Sequence, residues 1–339
     1  MVEVPRDPGL RAVLAMLAPG THLREGIERV IRADRGTLIV IGIAATSQRV
    51  AELAKMDGAL VLDADARRIL RANVHLVPDP SIPTSETGTR HRSAERTARE
   101  TGQPVIAVSE SMGMVNVYFG GTKHVLEEVS ALLVRANQAL STLERYRSRL
   151  DEVTGLLSSR EVEDAVTVRD AVLALQRAEM LRRIAGEVES HVIELGSEGR
   201  LIQLQLDELV GSVGNMRELL VRDYLKDRRR KLKRVLEELA VLETEELLNP
   251  ELVASLLAYG DDELELQVTP RGYRMLSRIP RLPATVIERL VERFHTLPRV
   301  MEATISDLDQ VEGVGGHRAR MIQEGLRRLS EPIALERFS

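Results

Sequence analysis

GTRHRSAER (residues 88–96) sets three adjacent donors, Arg90, His91 and Arg92, directly after a turn-forming Gly88-Thr89. Arginine is planar, always charged and grips phosphate oxygens two at a time, and histidine adds a donor whose charge is tunable near neutrality. Such a cluster suits a polyanion, a triphosphate above all. Alone, a basic triplet reads equally as a solvated face.

The upstream string MDGALVLD (56–63) gives the triplet its weight. Asp57 precedes two small residues, Gly58 and Ala59, and then Leu60, Val61 and Leu62, an apolar run that reads as a buried strand. A carboxylate at a strand's start, among small side chains, lets a bulky ligand lie against the backbone and can bind a divalent metal or a ribose hydroxyl. Asp-Gly alone also reads as a plain turn.

Composition bounds the remaining classes. A chain of 339 residues with 43% hydrophobic residues is long enough for two or three cored domains. No apolar run is long enough to span a bilayer and MVEVPRDPGLR has no signal-peptide core, so the expected setting is cytoplasmic, without membrane partners. With no cysteine, disulfides and thiolate metal sites are excluded, and oxygen or histidine ligands favour magnesium or manganese. A net charge of −5 argues against coating nucleic acid through bulk charge and makes any DNA contact local.

Short β-branched runs at Thr37 to Ile43, Ala59 to Leu62 and Val105 to Val108 alternate with helical stretches, an α/β pattern over 1–123. From Val105 to Asn249 there is no proline, and Leu126, Val129, Leu133, Ala136, Leu140 and Leu143 draw a seam along one long helix. Residues 124–275 therefore read as an all-α spine. Within it KDRRRKLKR (226–234) has seven basic residues in nine. A solvated helix face paired with Asp223, Asp227, Glu237 and Glu238 competes with a nonspecific phosphate contact.

Residues 276–339 return to specific signals. In LDQVEGVGGHRARMIQEGLRRL (308–329), Leu308 and Val311 precede Gly313-Val314-Gly315-Gly316, and a helix follows with Ala319 and Ile322 inward. This resembles a helix-hairpin-helix, in which glycines let the turn approach a phosphate and free N–H groups at the helix start point at it. His317, Arg318 and Arg320 are candidate added contacts, and IPRLPATVIERLVERF (279–294) reads as a degenerate first hairpin.

Asp57-Gly58-Ala59 and Arg90-His91-Arg92, with RANVHLVPDPSIPTSETGT (71–89) between them, resemble the nucleotide-binding core of the diadenylate cyclases. With a helix-hairpin-helix at the end, nearly the whole chain is similar to the DNA integrity scanning family. The resemblance implies an α/β N-terminal cyclase domain, a mixed sheet flanked by helices, followed by the all-α spine and the helix-hairpin-helix domain. It implies condensation of two ATP into cyclic di-AMP and two pyrophosphates, coupled to branched, Holliday-junction-like DNA, in a nucleoid-associated homo-octamer. In this reading Asp57 lies by the ribose 3′-hydroxyl and places Mg2+ or Mn2+, and Gly58 and Ala59 leave room for the sugar. Arg90, His91 and Arg92 hold the β- and γ-phosphates, Thr89 and Ser93 add hydroxyls, and Leu76 and Ser109 line the adenine side. Leu76 reads equally as core. The connection IAATS (43–47) is shorter than is common among relatives, which keeps open an inactive nucleotide-binding DNA-junction scaffold.

Overall fold

The computed structural model describes residues 7–33, 35–42, 58–66, 68–109, 114–211, 213–227 and 229–336. Helix α1 (Pro8–Leu17) starts where the Asp7 carboxylate accepts the Gly9 N–H at 2.8 Å, with proline at its first position. Helix α2 (His22–Arg32) is capped by Thr21, whose hydroxyl accepts the Arg24 N–H at 3.2 Å. Strands β1 (Thr37–Gly42), β2 (Ala59–Asp63) and β3 (Ile69–Val74) follow, then helix α3 (Thr89–Thr101) and strands β4 (Val105–Val108), β5 (Val115–Phe119) and β6 (Thr122–Val125). The six strands form one sheet in the order β3-β2-β1-β4-β5-β6. Only β1 and β2 pair in parallel, so the sheet is mixed, as the sequence implies.

Strand side chains alternate between faces, and here both faces are covered. Ile39, Ile41, Leu60, Leu62, Ile106, Val108 and Val117 bury against Leu14 and Leu17 of α1 and Ile27 of α2. Val40, Val105, Ala107 and Tyr118 share the opposite face with Ala94 and Ala98 of α3. Register then aligns one end of the sheet: Thr37 lies opposite Val108, Leu38 opposite Ala59, Ala59 opposite Val74, and Val108 opposite Val115.

The chain packs as two compact units, Met1–Ser141 with Gly186–Asp207, and Thr142–Ala185 with Glu208–Ser339. This division cuts through the 124–275 stretch, because helices α4 (Val129–Val162) and α5 (Val168–Leu195) each contribute to both. Along α4 the buried seam is Leu132, Ala136, Leu140, Leu143, Leu150 and Leu157. Leu132, not the expected Leu133, holds the first inward place; from Ala136 onward the seam repeats every heptad, which keeps one stripe inward on a helix of 3.6 residues per turn. Among the described residues no helix is long and apolar enough to cross a membrane.

The second unit also holds α6 (Arg200–Val210) from Glu208 on, then α7 (Met216–Tyr224), α8 (Leu232–Val241), α9 (Thr244–Leu248), α10 (Pro250–Leu256) and α11 (Tyr273–Ser277). The basic run 226–234 lies largely outside helix, a departure from the sequence expectation: α7 stops at Tyr224 because Arg271 takes the Arg222 and Leu225 carbonyls at 2.7 and 2.6 Å. Its charges are nonetheless paired, Lys226 with Glu263 at 2.8 Å, Arg234 with Glu238 at 2.9 Å and Lys233 with Glu237 at 3.7 Å. Asp223 does not join them. It is buried and accepts the N–H groups of Gly272, Tyr273 and Arg274 at 2.8, 2.7 and 2.9 Å, capping α11.

Helices α12 (Ala284–Phe294), α13 (Leu297–Glu302), α14 (Ile305–Asp309) and α15 (Gly316–Glu336) complete the chain. Two helical hairpins, α11–α12 and α14–α15, superpose in sequence at one constant offset. Ile279 N–H bonds the Leu276 carbonyl as Val311 bonds Leu308, and Ile287 bonds Pro283 as Ala319 bonds Gly315. Arg281 (φ 64°) stands where Gly313 (φ 85°) does, so both turns need a left-handed residue. Pro283 replaces Gly315 and removes an N–H from the first turn, the physical content of its degeneracy.

Candidate functional site

Arg90, His91 and Arg92 occupy the first turn of α3, not the loop before it. Gly88 precedes the helix with no side-chain cap, the first turn holds no acid, and the first-turn amides add the positive end of a helix dipole to three basic side chains. The helix is fixed to the sheet by Ala94 and Ala98, and the loop before it is tied to the helix. Arg96 donates to the Ile82 carbonyl at 2.8 Å, Arg99 to that of Pro83 at 2.7 Å, and the Thr84 hydroxyl to Glu95 at 2.5 Å. Glu95, buried, also pairs with Arg99 at 2.7 Å.

The sheet register brings the sequence-predicted residues to one end. Gly58 and Ala59 begin β2, Ser109 follows β4, and Leu76 follows β3. Arg90 reaches the same end: a Cβ on Gly36 would overlap Arg90 Nη1 and stand 3.1 Å from the Val108 carbonyl oxygen. Gly36 thus leaves the space that Arg90 fills. At Gly58 (φ 150°) the space is taken by the protein itself, since a Cβ there would lie 2.6 Å from Asn73 Oδ1 and 2.8 Å from its Cα. The glycine is therefore required by β3, whatever room a sugar needs. Ala59 and Ser109 are buried; Leu76 is half-buried and packs with Val40, Ala94 and Tyr118, a core contact. Thr89 and Arg92 are exposed, Ser93 half-buried. Asp57 and the connection 43–47 lie outside the described residues. Among the described residues no group of three His, Asp or Glu side chains is placed to hold a metal ion.

His91 is backed by residues that sequence reading did not single out. Its Nδ1 lies 3.1 Å from the Tyr118 hydroxyl and 3.3 Å from Asn116 Nδ2. Tyr118 is hydrogen-bonded to Glu86, which receives Lys123 Nζ at 2.7 Å. The Lys123 hydrogen bond holds Glu86 below the usual carboxylate range. Burial, then Glu86, pushes the Tyr118 phenol up, and burial holds His91 below an ordinary imidazole. The available signal was the period-two spacing of Asn116 and Tyr118, which puts both on the α3 face of β5.

At the other end of the chain, Gly313, Gly315, Gly316, His317 and Arg320 are exposed, Arg318 is half-buried, and Arg318 donates to the Gly313 carbonyl. Val314 points inward with Leu308, Val311, Ala319 and Ile322, so only its backbone is available to a ligand. A Cβ on Gly315 meets nothing within 4 Å, an open approach to the first turn of α15.

The family model described as DisA bacterial checkpoint controller nucleotide-binding matches residues 24–123, and that of the DisA bacterial checkpoint controller linker region matches 126–266. The DNA integrity scanning protein DisA of Acidothermus cellulolyticus is 54% identical, over 98% of this chain and 96% of that protein. That of Kineococcus radiotolerans is 53% identical over 98% of each, and that of Parafrankia sp. 50% identical over 100% of each. The Parafrankia alignment runs 358 positions against 339 residues here, so that relative carries residues this chain lacks. A solved structure of DacA from Staphylococcus aureus is 22% identical, over 34% of this chain and 87% of that chain, with a TM-score of 0.25, an overlap too low to bear on the fold. Matched by both models and by relatives about half identical from end to end, the chain belongs to the DisA family of DNA integrity scanning proteins.

Proposed function

We propose that the chain condenses two ATP into cyclic di-AMP and that branched DNA on the C-terminal hairpins regulates this output. The observation that carries the reading is Arg90, His91 and Arg92 on the uncapped first turn of α3, at the sheet end that also holds Gly58 and Ala59. Each 3′-hydroxyl attacks the α-phosphate of the other nucleotide: an oxygen–phosphorus bond forms, the bond to the β-phosphate bridge breaks, and the hydroxyl proton is lost as pyrophosphate leaves. Two nucleotides must react with each other, so one domain is half a site and two must face each other. The family resemblance makes the assembly an octamer. Arg90, His91, Arg92 and the first-turn amides hold the β- and γ-phosphates and stabilise the charge that grows on the leaving pyrophosphate. Thr89 and Ser93 add hydroxyl donors, and Ser109 and Leu76 flank the adenine. Asp57 is proposed at the 3′-hydroxyl with Mg2+ or Mn2+; the described residues provide no metal cluster of their own, so the steps above rest on protein groups alone.

At the C-terminal end, the open Gly315, the left-handed Gly313, the Gly316 amide and exposed His317 and Arg320, with Arg318, support contact with a phosphate backbone, read by shape and not by base. A second reading, a nucleotide-binding junction scaffold without turnover, is favoured by the residues this chain lacks relative to the Parafrankia protein. Incubation with ATP and manganese or magnesium, followed by chromatography for cyclic di-AMP, separates the two. The cyclase reading expects product that Asp57→Asn and Arg90→Ala abolish while four-way-junction binding survives. ATP binding without product establishes the scaffold.

A further inference from the structure

Glu86, Tyr118 and Asn116 converge on one ring nitrogen of His91, and their chemistry fixes which proton that nitrogen carries. We propose that Tyr118, oriented by the Lys123–Glu86 pair, is a positioning residue that locks His91 with Nδ1–H turned inward and Nε2 presented to the polyphosphate. The proposal rests on the reading of Arg90-His91-Arg92 as the triphosphate grip.

Glu86, 2.7 Å from Lys123 Nζ, is a carboxylate and only accepts. A neutral phenol beside a carboxylate gives it its one proton, so the Tyr118 hydroxyl donates to Glu86 and turns its lone pairs to His91 Nδ1 at 3.1 Å. A bare Nδ1 would set lone pair against lone pair, and only Nδ1–H fits. Asn116 agrees once its amide turns Oδ1 toward the ring, which also gives that buried oxygen the partner it otherwise lacks among the described residues. The neutral ring then carries its lone pair on Nε2, and the imidazolium carries a proton there, the form that donates to a phosphate oxygen. The charged groups acting on His91 are Glu86, which favours the cation, and Lys123 and Arg90, which oppose it. A histidine left to itself favours neither orientation so strictly; here the backing chain makes the choice before any ligand arrives.

A purely structural Tyr118 would fill the α3 face of the sheet through its ring, and Tyr118→Phe would leave His91 untouched. The test uses the full-length chain labelled with 15N, the His91 ring signals identified by their loss in His91→Gln. The wild type is expected to show the Nδ1–H tautomer. Tyr118→Phe and Glu86→Gln are expected to shift the ring toward Nε2–H and to weaken ATP binding by about tenfold, the loss of one oriented charge-assisted hydrogen bond, with the thermal midpoint of Tyr118→Phe little changed. An Nε2–H ring in the wild type, or an Nδ1–H ring retained in both variants, overturns the proposal. Absence of cyclic di-AMP from the wild type overturns the cyclase reading instead and leaves the tautomer result to decide this one.

Discussion

A Cβ on Gly36 meets the far end of Arg90, which can swing away, so Gly36→Ala is expected to cost under about 1 kcal/mol of stability while displacing a phosphate-binding guanidinium. ATP affinity should fall at least about tenfold with an unchanged urea midpoint; an unchanged affinity means that Arg90 is not a phosphate ligand. Gly58→Ala differs because its obstacle is the Asn73 backbone, 2.8 Å from the added carbon at Cα, which cannot step aside. It should cost about 2 kcal/mol or more in chemical denaturation. His91 gives a pH prediction. Burial lowers its pKa, and the cation is the form that donates from Nε2, so ATP binding should weaken as pH rises through that lowered value. Glu86 raises the His91 pKa, so Glu86→Gln should move the weakening to lower pH; movement the other way contradicts the assignment.

Elements were legible where periodicity alone sets them. The runs at Thr37, Ala59 and Val105 are the strands β1, β2 and β4, because unbroken β-branched stretches buried on both faces leave little else for the backbone to do. The helical start at Thr89 was not legible. Gly88 offers no capping side chain, and what holds that turn is the docking of Ala94 and Ala98 and the loop bonds of Arg96 and Arg99, all tertiary. The end of α7 was hidden for the same reason: Arg271 claims its last carbonyls from a distant point in the sequence. Likewise Tyr118 and Glu86 are far from His91 in sequence and meet it only through the β5 register and the anchored loop. In the second hairpin Gly315 has open space around it, so Gly315→Glu should fold normally, yet set a like charge against a phosphate. Junction DNA binding is expected to weaken at least about tenfold at constant thermal midpoint. Equal binding by the variant removes this turn from the DNA contact.

Within the second unit a buried polar node joins α4, α7 and α11. Arg274, 1% exposed, pairs with Glu161 at 2.5 Å, and the Tyr224 hydroxyl donates to the same carboxylate at 2.5 Å. Removing one partner strands a buried charge, so Arg274→Met should cost about 3–5 kcal/mol in urea denaturation, and a cost near zero would mean the node is solvated. Burial, then Glu161, pushes Asp223 up to about 7 from its ordinary 3.8, against three N–H donors and Arg274. A carboxyl with a raised folded pKa stabilises fully below its unfolded value and loses that contribution as pH rises through the folded one. Wild-type stability should therefore decline between about pH 4 and 7 by an increment absent from Asp223→Asn. The sequence showed a spine and two functional ends, but not this node, whose members lie far apart along the chain. The most direct test of the whole account is the yield of cyclic di-AMP from ATP with manganese or magnesium, with and without a four-way junction, in the wild type and in Gly315→Glu. The account predicts product from both proteins, lowered by the junction only in the wild type. ATP bound but never converted under either metal contradicts it.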